Sequence, residues 1–308
     1  MLRGIYSQLN NFNKFILLIT LLLSFLIFSL LLGILVLVPF FGTGVINLLA
    51  KPDYSDQAVV TAMKAIQIIN MAGGLLLPAL IYTWLCSPNN DENSVFFKSV
   101  SPFAVVLTFI LIIISQPIIG LASEINSHLS LPKALASIEE WMKSKEELGA
   151  QITEAFFSTT STSGLLLNIF MVALLPAFAE EILFRGALAG LLKDWTKNVH
   201  LAVFLSAFIF AAIHMQFYGF LPRFLLGTAL GYLFFWSGSL WLPIAAHFTN
   251  NFLSVMVEFL FRKGIININA DNFGLNSSNW VIAISIVCVT FLLYYLHKIT
   301  VTQKEASK

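Results

Sequence analysis

Two adjacent glutamates and an arginine, Glu180, Glu181 and Arg185, lie in an apolar stretch that is otherwise typical of a membrane-spanning helix. A charged side chain at the bilayer centre costs about 2.5–3.5 kcal/mol, so such residues face protein or water and commonly mark functional sites. Residues four apart share a helix face, so we expect Arg185 to pair with Glu181 while Glu180 points about 100° away. Glu180 is therefore the candidate general base. The alternative is a purely structural ion pair.

Two further residue pairs, each containing a histidine, occur in later apolar segments at helical spacing. His214 follows Phe210 by four residues, and Asn251 follows His247 by four residues. Because polar side chains in a span face protein or water, His247 and Asn251 predict a polar helix face. A lone histidine at the end of an apolar segment, such as His214, is more often a hydrogen-bonded structural residue. The pair of Phe210 and His214 is thus ambiguous by itself, whereas the pair of His247 and Asn251 indicates a site.

Three neighbouring residues have expected structural roles. Pro176 precedes Glu180 by four residues and should loosen the helix just upstream of the glutamates. Glu258 lies near the face of His247, but its spacing favours a pair with Arg262. These residues are expected to shape the surroundings of the site.

Composition restricts the class of protein. The chain has 58% hydrophobic residues, 29 phenylalanines and only 11% charged residues, which excludes an ordinary soluble domain. Its net charge of +1 gives no indication of a nucleic-acid partner. The two cysteines, Cys86 and Cys288, lie in apolar runs and are too few for a disulfide framework. We predict a multi-pass protein whose partner is the lipid bilayer.

The long apolar runs predict helices, since a spanning helix needs about 20 apolar residues and these runs lack the alternation of a barrel strand. The expected fold class is all-α, a transmembrane bundle of about eight spans. The first span should be an anchor, because its apolar run exceeds that of a cleaved signal peptide. The predicted spans are 15–40, 66–86, 103–122, 164–192, 201–215, 221–236, 240–261 and 280–297.

A polar stretch separates the third and fourth spans. Within it, Leu135, Ile138, Trp141 and Met142 follow a helical spacing between charged residues. This pattern predicts an amphipathic helix that lies on the membrane surface or caps a cavity. A solvated connector without a function is the alternative.

Three regions follow from this organisation. Residues 1–163 comprise three spans and the polar loop, 164–261 hold the polar motifs on four spans, and 262–308 hold the last span and tail. A small excess of Lys and Arg on one side favours cytoplasmic termini, in a bacterial cytoplasmic membrane.

With these motifs assembled, the chain resembles the CAAX protease and bacteriocin-processing family, also called the Abi family, of intramembrane endopeptidases. The resemblance rests on the glutamate pair with its arginine, the phenylalanine with histidine four residues on, and the histidine with asparagine four residues on. All three motifs occur in the family's order on successive apolar segments. Each motif is weak alone, and the resemblance covers about residues 164–261.

The resemblance implies hydrolysis of peptide bonds in membrane-associated proteins or peptides, as in the type II CAAX prenyl endopeptidases. It implies roles for seven residues: water activation by Glu180 and His214, oxyanion stabilisation by His247 and Asn251, and support from Glu181, Arg185 and Phe210.

Several alternatives stay open at this stage. Two histidines and a carboxylate form a recognised zinc set, so one zinc ion on Glu180, His214 and His247 is as acceptable as a mechanism without metal. The chain lacks the His-Glu-x-x-His helix of many zinc proteases. A non-proteolytic scaffold or bacteriocin-immunity partner could use the same polar pocket. A proton relay or transporter has less support, because no internal repeat is visible.

Overall fold

The computed structural model describes residues 3–87, 97–270, 272–275 and 277–306, with side chains to residue 302. Apart from short 3₁₀ turns, these residues form nine helices and no strand. Seven of the helices, all except α4 and α6, are long and apolar enough to cross a membrane. The predicted all-α bundle of about eight spans is confirmed. The helices are α1 Asn11–Ala50, α2 Gln57–Cys86, α3 Pro102–Ser127, α4 Ala136–Phe157, α5 Thr162–Thr196, α6 Val199–Ile213, α7 Phe217–Ser237, α8 Trp241–Arg262 and α9 Asn279–Ala306.

The helix α2 begins well before the predicted span. It starts at Gln57 rather than Ile66, with the side chain of Asp56 accepting a hydrogen bond from the backbone N–H of Ala58. The extra turns include Lys64, a residue that hydropathy excludes from a span although its side chain is buried. A helix cap, which satisfies an otherwise unpaired N–H, decides this boundary rather than hydrophobicity.

The helix α6 is short and packs tightly against α7. Its 15 residues span about 22 Å at 1.5 Å per residue, less than the roughly 30 Å hydrocarbon core. A Cβ atom added at Gly227 or Gly231 of α7 would lie within 3.2 Å of α6 side chains. These two glycines let α7 pack closely against α6, and the end of α6 lies close to the interior of α5.

The helix α5 is deeply buried and irregular around the glutamates. Its backbone widens into π-helical turns at Ile169–Leu174 and Ile182–Ala189, on either side of Glu180 and Glu181. Pro176 has no backbone N–H to continue the regular hydrogen-bond ladder, and the predicted loosening upstream of the glutamates is confirmed. Single π-helical turns often occur at functional sites, where they reorient side chains.

Candidate active site

One buried ion pair fixes Glu181. Arg185 Nη1 donates to Glu181 Oε1 at 2.7 Å, and the two residues are 1% and 0% exposed. The expected pairing four residues apart on α5 is confirmed. The other guanidinium nitrogen, Nη2, donates to the backbone carbonyl of Gly227 at 2.9 Å. This contact joins Arg185 of α5 to the backbone of α7.

His247 on α8 joins the same carboxylate. Its Nδ1 donates to Glu181 Oε1 at 2.8 Å, although the two residues are 66 positions apart in sequence. Phe210 packs beside this network, with its ring centroid 4.8 Å from the Arg185 guanidinium carbon and 5.8 Å from the His247 ring. Glu181 thereby orients a histidine as well as pairing with an arginine. It leaves the Nε2 atom of His247 on the side of Glu180.

Glu180 has a different environment from its neighbour. It is 7% exposed, lines a cavity, and its Oε2 lies 3.8 Å from His247 Nε2. Among the residues that the structure describes, this buried Oε2 has no hydrogen-bond partner, and neither does Glu181 Oε2. The two glutamates lie in different surroundings, as the helix geometry predicts: Glu181 pairs with Arg185 inside the protein, and Glu180 lines the cavity.

His214 reaches the same cavity from the end of α6. Its Nδ1 donates to the backbone carbonyl of Phe210 at 2.7 Å, and its ring makes an edge contact with the Phe210 ring at 5.0 Å. The next residue, Met215, has a φ of 55° and ends the helix sharply. This hydrogen bond fixes the ring and leaves Nε2 available to the cavity.

Asn251 contacts the loosened part of α5. Its side-chain Nδ2 donates to the backbone carbonyl of Val172 at 3.0 Å. Because Pro176 brings no N–H to the turn above, a carbonyl in this turn needs a donor from elsewhere. Asn251 supplies a donor and keeps its second Nδ2 hydrogen for the cavity that it lines.

The cavity has a volume of about 440 Å³ and a mixed lining. Besides the polar side chains already described, its wall includes Arg223 of α7, which interacts electrostatically with Glu180 and His214. A second cavity of about 600 Å³ shares several lining residues with the first, including Arg223 and Asn250. The second cavity is more polar and includes three glutamates, so charged groups adjoin the cavity that Glu180 lines.

The amphipathic helix expected in the polar stretch is α4, and its C-terminal end lines the cavity. Leu135, Ile138 and Trp141 are exposed. The cavity wall comes from the other end of α4, with Phe156 and Phe157 among its lining residues. The spacing of apolar residues in the first turns of α4 predicted the helix. The last turns, which line the cavity, are not part of that pattern.

Some site contacts have no signal in the sequence. The carbonyls of Gly227 and Val172 are backbone groups, and Arg223 stands in an ordinary apolar run. By contrast, the pair of Arg262 with Glu258 is confirmed, with Nε 2.7 Å from Oε1. Local spacing thus identified pairs on one helix, while contacts between helices needed the structure.

The proposed zinc set has an incomplete geometry. Glu180 Oε2 and His247 Nε2 face each other, but the described residues contain no group of three or more His, Cys, Asp or Glu side chains that could hold a metal ion. A catalytic zinc site needs three protein ligands converging at about 2.0–2.2 Å. The side chains therefore do not fit a preformed zinc site.

Comparison with known proteins classifies this region. Residues 162–253 match the family described as type II CAAX prenyl endopeptidase Rce1-like. These residues form an Rce1-like domain. The resemblance to the CAAX proteases is thereby confirmed for this part of the chain, which runs from the start of α5 into α8. It contains each of the three motifs on which the resemblance rests.

One curated relative is similar over part of its length. The uncharacterized protein YpbD of Bacillus subtilis (strain 168) is 32% identical over 116 residues, which cover 36% of this chain and 54% of YpbD. The chain thus spans about half the length of that relative. No solved structure matches the chain. The Rce1-like domain and the seven long apolar helices indicate an integral multi-pass membrane protein.

Proposed function

We propose that the Rce1-like domain is an intramembrane endopeptidase that hydrolyses peptide bonds of membrane-associated proteins or peptides. One observation carries the proposal: Glu180 presents a buried carboxylate oxygen without a hydrogen-bond partner among the described residues, 3.8 Å from His247 Nε2 and inside a cavity. Glu181 next to it forms an ion pair with Arg185 and accepts a hydrogen bond from His247. Glu180 lines the cavity and Glu181 does not, and a structural ion pair alone does not account for a glutamate in that position.

Glu180 would act as the general base. Its free oxygen accepts a proton from a water molecule in the cavity, and the oxygen of that water attacks the carbonyl carbon of the peptide bond. His214 Nε2, which its hydrogen bond to Phe210 leaves available, would help to hold the same water. Proton transfer to a positioned base contributes typically 10²–10⁴-fold to the rate.

His247 and Asn251 would stabilise the oxyanion. When His247 Nε2 carries a proton it is a donor for the developing negative charge, and Glu181 keeps the ring in place through Nδ1. The second Nδ2 hydrogen of Asn251 is the other donor. Removing one donor of this kind costs about 10²–10³-fold. The C–N bond of the tetrahedral intermediate then breaks as protonated Glu180 gives its proton to the leaving amine, so the products are a carboxylic acid and an amine.

The cavity suits a peptide segment that leaves the membrane. Apolar side chains such as Met71, Ile152 and Leu226 line it beside the polar groups, and the adjoining cavity is polar. Burial of the reacting groups strengthens their electrostatic interactions. A membrane-associated chain could therefore place apolar residues near Glu180 and polar residues in the adjoining cavity.

Substitution of the site residues tests the proposal on detergent-purified protein with a library of membrane peptides. We expect Glu180→Ala and His214→Ala to lose nearly all cleavage activity, by about 10²–10⁴-fold. Asn251→Ala should keep a measurable residual activity. Each variant must keep the wild-type elution and thermal unfolding. A scaffold that only binds through this pocket predicts no cleavage by any of the proteins.

A chelator arm of the same assay addresses the metal alternative. Because the described side chains do not converge on a zinc position, we expect cleavage to persist after chelator treatment and metal analysis to find no stoichiometric metal. Loss of cleavage with the chelator, restored by zinc, would reject the metal-free form of the mechanism.

A further inference from the structure

A buried lysine outside the proposed machinery has an unusual set of partners. Lys64 of α2 is 6% exposed, and its Nζ donates to the backbone carbonyl of Phe156 at 2.7 Å and to Asn168 Oδ1 at 3.0 Å. Asn168 Nδ2 donates to the same carbonyl of Phe156 at 2.9 Å. A lysine is rarely buried unless a partner compensates it. Here the partners are a carbonyl and an amide rather than a carboxylate.

The carbonyl that Lys64 holds belongs to the end of α4. This helix ends at Phe157, and its last carbonyls have no acceptor role within the helix. The C-terminal end of a helix also carries partial negative charge, which a basic side chain stabilises. Lys64 and Asn168 therefore join the end of α4 to two membrane helices, α2 and α5.

The C-terminal end of α4 also forms part of the wall of the proposed catalytic cavity. Ile152, Thr153, Phe156 and Phe157 line that cavity, opposite residues of α5 and α8. Phe156 packs in a buried cluster with Met171 and residues of α2. The Lys64 contact thus fixes the backbone of the residues that form one wall of the substrate space.

The beginning and middle of α4 are held by other contacts. Glu146 accepts a hydrogen bond from the backbone N–H of Tyr218 at 3.2 Å, and Trp141 packs against Phe217 with ring centroids 5.4 Å apart. Both partners lie in the segment that follows His214. Loss of the Lys64 contact should therefore free only the C-terminal turns of α4.

We propose that Lys64 is a positioning residue, which binds the C-terminal end of α4 and so sets the substrate-facing wall of the cavity. This inference rests on the proposed function where substrate is concerned. Lys64 touches none of Glu180, His214 or His247 through a hydrogen bond in the structure, so its effect should fall on substrate binding rather than on the chemical step.

Hydrogen exchange of the purified full-length protein tests the position of α4 without any substrate. In Lys64→Met, amides of residues 150–157 should exchange about tenfold faster, because a hydrogen bond from a charged donor is removed. Lys64→Arg keeps a donor and should restore most of the protection. The matched control is Lys143→Met, which removes an exposed lysine of α4 that pairs with Glu139 and should leave these amides unchanged.

Kinetics then separate positioning from general damage. We expect the KM of Lys64→Met for a cleaved membrane peptide to rise about tenfold with kcat near the wild-type value, since only uniform binding is lost. Asn168→Leu removes the other side chain that binds the Phe156 carbonyl, and smaller changes in the same direction are expected for it. This variant replaces Lys64→Met in the test if Lys64→Met fails to fold.

The two readouts fail differently. Unchanged exchange at residues 150–157 in both Lys64→Met and Asn168→Leu would overturn the positioning role whether or not the protein is a protease. Faster exchange with an unchanged KM would also overturn it, because the wall would then not contact substrate. If wild type cleaves no peptide, the proposed function fails, and the exchange experiment still decides how α4 is held.

Discussion

At the residue scale, the central feature is one carboxylate with two partners. Glu181 Oε1 accepts from Arg185 at 2.7 Å and from His247 at 2.8 Å, in a place without solvent exposure. Breaking a buried pair by removing one partner typically costs 3–5 kcal/mol, because an uncompensated charge remains. The arginine thus contributes to stability and, through Glu181, to the orientation of His247.

An exposed ion pair with the same four-residue spacing provides a control for testing this claim. We expect Arg185→Leu to reduce the free energy of unfolding by about 3–5 kcal/mol, since it leaves Glu181 with His247 alone. Lys143→Leu breaks the pair of Lys143 with Glu139, which has the same four-residue spacing but side chains that are 55% and 20% exposed, so a much smaller loss is expected. Unfolding in detergent compares the two; equal losses would refute the role given to burial.

Sequence reasoning reached part of this network. Four-residue spacing places Arg185 beside Glu181 on any helix, so that pair was predictable. The contact between His247 and Glu181 joins two helices 66 positions apart, and no spacing rule connects them. The family resemblance named both residues but gave no atom-level partner, which depends on how α5 and α8 pack.

At the element scale, the irregularity of α5 matters more than its length. Pro176 follows the π-helical turn at Ile169–Leu174, and Asn251 Nδ2 donates to the Val172 carbonyl within that turn. A proline therefore leaves room in the backbone ladder for a side chain from α8. This arrangement couples the position of Asn251 to the shape of α5.

Restoring the missing backbone donor should disturb that coupling. In Pro176→Ala the new N–H competes with Asn251 for a carbonyl of the turn, so we expect cleavage to fall about tenfold or more with little loss of stability. Pro78→Ala is the matched control, because Pro78 follows the π-helical turn Asn70–Leu76 of α2 but lies outside the cavity lining. Equal activities of both variants and wild type would show that the turn does not position Asn251.

Helix existence was more predictable than helix limits. Long apolar runs identify spans because water and lipid impose a strong hydrophobicity requirement. Hydrophobicity did not predict the first turns of α2, because they contain Lys64. This lysine is stabilised by a carbonyl and an amide rather than by solvent. Hydrophobicity did not predict the contribution of α4 to the cavity either, because α4 is polar for most of its length.

At the scale of the whole molecule, the path of the chain depends on α6. Seven helices are long enough to cross a membrane, and α6 is shorter. If α6 also crosses, the number of crossings is even and both termini lie on the same side. The distribution of Lys and Arg favours the cytoplasmic side.

Labelling of single cysteines can test this topology. With Cys86 and Cys288 replaced by alanine, we expect Ser7→Cys and Thr302→Cys to be protected from a membrane-impermeant maleimide in intact cells and to react after permeabilisation. If Ser7→Cys reacts in intact cells while Thr302→Cys is protected, the two termini lie on opposite sides of the membrane. The chain would then cross the membrane an odd number of times. In that case α6 would not cross.

The most direct measurement of the central claim compares cleavage by wild type and by Glu180→Gln, which keeps the shape of the side chain but not its basicity. Both purified proteins are incubated with the membrane-peptide library, and new termini are identified by mass spectrometry. We predict new termini for wild type and their loss by at least about 10²-fold for a Glu180→Gln protein with unchanged thermal unfolding. Equal cleavage by the folded variant would contradict the account.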